Sequence, residues 1–201
     1  MVAGPSFARE VAASAPTALL IASTESEDGH AIAYWFHTPT TRVYYNADPT
    51  GVQLGGAIKN VIAVATGISD GLGYGANARS AIITRGLSEL TRLGITLGGD
   101  TNTFMGLTGV GDLVLTCTDD KSRNRRFGLA IGSGKSIPEA IKTVNQEIEA
   151  INTTAVLYQL SLKHNIDMPI TRQVYRVLCE GVDPTLVVRE LLQKIPKQET
   201  D

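Results

Sequence analysis

Residues 54–67 read LGGAIKNVIAVATG. On a period of 3.6 residues, Ile58, Ile62 and Ala65 share one stripe, and Ala57, Val61, Val64 and Ile68 share the next. Most of the circumference is therefore apolar, which predicts a core helix near residues 53–68. Lys59 breaks the pattern. No acidic residue lies three or four positions from it, and its side chain leans back over Gly55 and Gly56. Ahead on its own stripe come Ala63, Thr66 and Asp70, so the pattern predicts an ammonium beside an open strip. Two readings fit. The lysine snorkels to water from a helix edge, or it is a partly desolvated acid–base group in a cleft, with Asn60 beside it to bond a polar ligand.

Outward from this segment the periodicity stays helical. Further helices are expected near 77–94, 109–117, 122–132, 146–164, 170–180 and 184–194, the last opened by Asp183 as cap and Pro184 at its first position. The first fifty residues behave differently. GPSFAREVAASA reads as a short helix with Pro5 in its first turn, TALLIAS (17–23) as a strand, residues 26–38 as a helix and TRVYYNAD (41–48) as a strand. Such alternation belongs to a layered α/β sheet, but two strands do not complete one.

The 201 residues are 43% hydrophobic, enough to bury one sizeable core. A net charge of -2 argues against a general nucleic-acid binder. Cys117 and Cys179 have no CxxC spacing, and His30, His37 and His164 are scattered, so reduced thiols and no metal site are expected. No apolar stretch approaches the roughly 20 residues of a bilayer span, and MVAGPSFARE lacks the basic and apolar regions of a secretory signal. These features predict a cytoplasmic protein without a membrane partner.

Two downstream segments carry chemistry. GLTGVGDLVLTC (106–117) approaches a helix through glycines and puts Asp112 at its start. There the carboxylate favours the helix dipole, or accepts from a ligand hydroxyl, or orients Lys59. In KSRNRRFG (121–128), Ser122 is a natural N-cap, followed by Arg123 and Asn124 in the first turn. Unpaired amides, the dipole and a guanidinium fork make a phosphate site. Alternatively Asp119 and Asp120 neutralise Arg123, Arg125 and Arg126 in a solvated charge cluster.

Taken together, GPSFA, LGGAIKNVIAVATGISDGLGYGANARSAIITRGLSEL, FMGLTGVGDLVLTC and SRNRRFGLAIGSG resemble the bacterial type of NAD(P)-dependent glycerol-3-phosphate dehydrogenase, from about Val2 to near Lys194. The resemblance implies a mainly α chain: residues 1–50 as the end of an incomplete Rossmann-like dinucleotide-binding domain, 51–195 as an all-helical substrate domain, and 196–201 as a disordered tail. It implies interconversion of dihydroxyacetone phosphate and sn-glycerol 3-phosphate with NAD or NADP, for glycerophospholipid synthesis. Lys59 matches the catalytic lysine that exchanges a proton with the C2 oxygen. Gly4, Ser6 and Asp112 match substrate-contacting positions, and Ser122, Arg123 and Asn124 match the substrate's phosphate site. Ala8, Arg123 and Glu149 match cofactor-contacting positions.

The segment around Glu149 reads EIEAINT, so Glu147, Ala150 and Asn152 stand where the family usually has valine, glycine and arginine. No G-x-G-x-x-G follows a strand. By the resemblance, the phosphate-cradling loop would lie upstream of Met1, and the chain corresponds to the last three-fifths of such an enzyme. That predicts a chain inactive alone; the alternative is a non-catalytic phosphate-binding or oligomerisation fragment. Unpaired strand edges on the unfinished sheet would favour association, as in a homodimer.

Overall fold

Asp48 and Pro49 begin the helix around which the chain is organised. In a computed structural model, which describes residues 1–192, Asp48 caps this helix by accepting from the Gly51 amide at 2.7 Å, and Pro49 occupies its first turn. The helix therefore starts four residues earlier than the apolar period suggests, because the cap lies outside the periodic stretch.

In chain order the elements are β1 (Val2–Ala3), α1 (Ala8–Ala12), β2 (Thr17–Ala22), α2 (Ser26–Phe36), β3 (Thr41–Asn46), α3 (Pro49–Gly71) and α4 (Gly75–Thr96). Then follow α5 (Thr101–Phe104), a π-helical turn (Leu107–Gly111), α6 (Asp112–Thr118), α7 (Arg123–Gly132), α8 (Ile137–Val144), α9 (Glu149–Lys163), α10 (Pro169–Glu180) and α11 (Pro184–Leu192). The protein is mainly α, with a three-stranded sheet at its start. β2 runs parallel to β3, joined through α2, and antiparallel to β1. β1 is two residues long, too short to show a period, and the sequence reading missed it. Pro5 lies outside α1 rather than in its first turn. Gly29 of α2 lets that helix lie on Tyr45, where a Cβ would stand 2.1 Å from the ring.

Ile58, Val61, Ile62, Ala63, Val64 and Ile68 of α3 are buried against α4, α6, α7, α9 and α10, while Val52, near its start, packs with Leu20 and Ala22 of β2. The contact with α7 is backbone on backbone. A Cβ on Gly67 would stand 2.2 Å from the Arg125 carbonyl oxygen, and one on Gly128 2.2 Å from that of Val64. Small residues let the two axes approach this closely. At 23 residues, α3 is long and apolar enough to cross a bilayer, correcting the expectation that no stretch approaches that length; 61% of its most apolar window is buried inside the protein.

Two helices escaped the sequence reading. α5 is one turn long. α8 was legible, since Ser136 and Glu139 form a capping box and Pro138 sits in the first turn, but its eight residues are too few for a convincing period. The expected disordered tail at 196–201, and the last two residues of the helix expected to reach 194, lie outside the described residues.

Glu89 joins α4 to α10. Only 1% exposed, it accepts from the amides of Ile170 and Thr171 and from the Thr171 hydroxyl at 2.8 Å, capping a helix whose own cap residue, Met168, offers no side-chain bond. Burial pushes its carboxyl up to about 7, outweighing those bonds and the nearby Arg92 guanidinium. The native state thus holds this proton more tightly than the unfolded chain between about pH 4.5 and 7. Stability from this group is present at the acid end and is lost as pH rises through that window. In urea titrations, wild type should lose on the order of 3 kcal/mol relative to Glu89→Gln between pH 4.5 and 7; parallel pH dependence of the two proteins would contradict this.

Candidate functional site

Lys59 sits in the middle of α3 with its side chain 20% exposed, and its ammonium pairs with the carboxylate of Asp112, 7% exposed, at the start of α6. The partner absent from its own helix comes from 53 residues away. Burial pushes the Asp112 carboxyl above its ordinary value, against the opposing pull of Lys59 and of the Thr116 hydroxyl. Thr116, one turn further along α6, donates to the Asp112 backbone carbonyl at 2.6 Å and lies 3.3 Å from its Oδ1. The DLVLT spacing held this signal, and the sequence reading passed over Thr116.

The strip ahead of Lys59 is closed. Ala63 and Thr66 are fully buried, Thr66 donates to the Ala63 and Cys117 carbonyls, and Asp70 binds Arg79 and Arg125. The open strip expected from small residues is thus filled by α6 and α7, since small side chains favour close packing as readily as clearance. The two glycines behind the lysine also divide. A Cβ on Gly55 would stand 2.3 Å from the Thr108 carbonyl oxygen of the π-helical turn, whereas one on Gly56 would meet nothing within 4 Å. Gly55 serves packing; Gly56 alone leaves space. Asn60 uses its amide locally, donating to the Gly56 carbonyl at 3.4 Å.

The π-helical turn delivers Asp112. It is held against α3 by Gly55, and a Cβ on Gly109 would fall 1.9 Å from the Phe104 carbonyl oxygen. Backbone therefore confines it at two successive residues, Thr108 and Gly109, just before α6 begins.

The N-terminal loop reaches both ends of the α6 segment. Gly4, at φ +128°, turns the chain out of β1 into Pro5, which lies 3.9 Å from where a Cβ on Gly111 would be. Ser6 donates to the Gly4 carbonyl at 3.1 Å. Beyond it, Phe7 lies under the Lys121 ammonium, which pairs with Glu10 at 3.0 Å and Asp119 at 3.2 Å. Ala8 is exposed at the start of α1. Gly4 to Glu10 thus runs from the approach to Asp112 to the approach to α7.

At α7, the Ser122 hydroxyl accepts from the Arg125 amide at 3.2 Å as N-cap. The arginines separate by role. Arg125 is buried and paired with Asp70 at 2.6 Å and Asp120 at 3.0 Å. Arg126 donates to Gln146. Arg123 is half-exposed and meets Glu149 at the start of α9. Asn124 is buried; its amide nitrogen donates to Glu149 at 3.2 Å, and its oxygen accepts from the Ala150 amide at 3.1 Å. Of the residues that replace the family's usual ones here, Ala150 is buried, while Glu147 and Asn152 are exposed. Cys117 is buried and its thiol pushed up to about 12, which leaves it inert.

This arrangement places a largely buried lysine–carboxylate pair and a helix N-terminus bearing one half-exposed guanidinium along a single loop. Residues 48–189 match the family model described as NAD-dependent glycerol-3-phosphate dehydrogenase C-terminus. The chain is 49% identical over 201 residues to glycerol-3-phosphate dehydrogenase [NAD(P)+] of Halorhodospira halophila, and 53% identical over 199 residues to that of Thioalkalivibrio sulfidiphilus. These alignments cover 100% and 99% of this chain and 60% of each relative. The crystal structure of glycerol-3-phosphate dehydrogenase from Coxiella burnetii superposes with a TM-score of 0.93 at 51% identity, over 96% of this chain and 59% of that one. The chain belongs to the NAD-dependent glycerol-3-phosphate dehydrogenase C-terminal family, and it spans about three-fifths of the length of these relatives.

The two glycines provide a test of how the site is held. Gly55→Ala forces a methyl against the Thr108 carbonyl and should cost about 1–3 kcal/mol in urea unfolding. Gly56→Ala, with open space, should gain up to about 1 kcal/mol from helix propensity. Equal effects would contradict the division.

Proposed function

We propose that this chain carries the substrate-binding and proton-transfer side of a glycerol-3-phosphate dehydrogenase that interconverts dihydroxyacetone phosphate and sn-glycerol 3-phosphate. The observation that carries this reading is the Lys59–Asp112 pair, linked through the Gly4–Glu10 loop to the capped N-terminus of α7. A phosphate at that N-terminus meets the first-turn amides, the positive end of the dipole and the Arg123 guanidinium. Anchored there, the substrate's C2 oxygen is presented to Lys59.

In reduction, a hydride arrives at C2 and the Lys59 ammonium gives its proton to the C2 oxygen, leaving a neutral amine that solvent reprotonates. In oxidation the neutral amine takes the proton back. Asp112, confined by the π-helical turn and tethered by Thr116, holds the lysine in place and offsets its charge. NAD or NADP, when bound, supplies or accepts the hydride. Of the positions that the resemblance assigns to it, Arg123 and Glu149 meet in one ion pair and Ala8 is exposed beside the same loop. The donor set fits the nicotinamide side of such a cofactor. The sequence has no G-x-G-x-x-G loop for its pyrophosphate, which favours a second reading of the isolated 201 residues as a phosphate-binding chain without turnover.

In an active preparation that includes the nucleotide-binding segment, Lys59→Met should lower turnover by ~10²–10⁴ with the fold intact by circular dichroism. An unchanged turnover number would sink the acid–base role. Arg123→Ala should weaken glycerol 3-phosphate binding far more than glycerol binding, and equal losses would remove the phosphate assignment. Calorimetric titration of NADH into the isolated chain should show no tight binding; a tight complex would contradict the second reading.

A further inference from the structure

We propose that Glu149 is an internal counter-anion for Arg123, one that a phosphate must displace to enter the N-terminus of α7. The proposal rests on the reading of that helix end as a phosphate site. The two carboxylate oxygens of Glu149 are held separately: Oε1 pairs with Arg123 and Oε2 accepts from the Asn124 amide at 3.2 Å. Asn124 is 4% exposed, and its other end accepts from the Ala150 amide, so the first turns of α7 and α9 are tied together. Ile148, the cap residue of α9, supplies no side-chain bond of its own. Glu149 is therefore aimed at Arg123 by a fixed, buried amide.

The pair itself meets water. The Arg123 and Glu149 side chains are 39% and 40% exposed, whereas Arg125 on the same turn is 7% exposed and locked between Asp70 and Asp120. A guanidinium fork offers a carboxylate and a phosphate the same donors, so the two anions compete for one face of Arg123. A half-exposed pair is weak. An arriving phosphate dianion replaces it and also gains the first-turn amides and the dipole, which Glu149, bonded through Arg123 and Asn124, does not use. When phosphate leaves, the carboxylate returns and the guanidinium is again paired. The empty helix end is thereby relieved of its electrostatic cost.

The test is a titration of inorganic phosphate into the 201-residue chain, read from the backbone amide NMR shifts of residues 123–125. Glu149→Gln keeps the bond geometry to Asn124 within reach and removes the competing charge. Its dissociation constant for phosphate should fall about two- to fivefold, the size expected of one half-exposed ion pair. Glu147→Gln removes the same charge from an exposed side chain two residues away and should change the constant by less than about twofold at physiological salt. If Glu149→Gln binds phosphate no more tightly than Glu147→Gln while wild type binds, the counter-anion proposal is overturned and the phosphate site stands. If neither wild type nor Glu149→Gln binds phosphate, both fall.

Discussion

The structure depends on how closely α3 can be approached by its neighbours. Gly67 and Gly71 admit the backbone of α7, and Gly55 admits the carbonyl of the π-helical turn. A Cβ at these positions would stand only 2.2–2.5 Å from main-chain oxygens, with no side chain to rotate away, so they tolerate only glycine without a shift of whole elements. Because α6 lies between the π-helical turn and α7, both of its ends are fixed relative to the same helix. Asp112 and Ser122 are thereby placed on a common frame that also carries Lys59.

On that frame the charges are sorted by burial. Arg125 and Arg79 share Asp70 beneath the surface, Arg125 takes Asp120 as well, and Lys121 gathers Asp119 and Glu10 at the rim. Lys59 and Asp112 form a pair with only limited access to water. The aspartates expected to neutralise the basic cluster reach only part of it. Asp120 neutralises Arg125, while Arg123 meets only the half-exposed Glu149 among the described residues.

Much of this was legible before the structure. The apolar stripes of α3, the Ser122 cap, the strands β2 and β3 of an α/β layer and the change to helix near residue 50 follow from periodicity, caps and β-branched content. The rest was non-local. Orienting Lys59 was one of three readings of Asp112, and Asp112 reaches the lysine from 53 residues away because a π-helical turn, which has no simple period, sets the phase of α6. The small residues Ala63 and Thr66 read as space in one dimension and proved to be contact in three. Gly55 and Gly56, identical in the sequence, differ because one faces Thr108 and the other faces nothing. β1 is visible only through its partner β2, being two residues long.

Under the proposed function, one molecule engages the α7 N-terminus and Lys59 together. This can be followed by NMR titration of the chain with sn-glycerol 3-phosphate, at the Arg123 guanidinium and Lys59 ammonium nitrogens. Both resonances should move with the same midpoint, and inorganic phosphate should move Arg123 far more than Lys59. Movement of Arg123 alone with glycerol 3-phosphate, or two different midpoints, would contradict it.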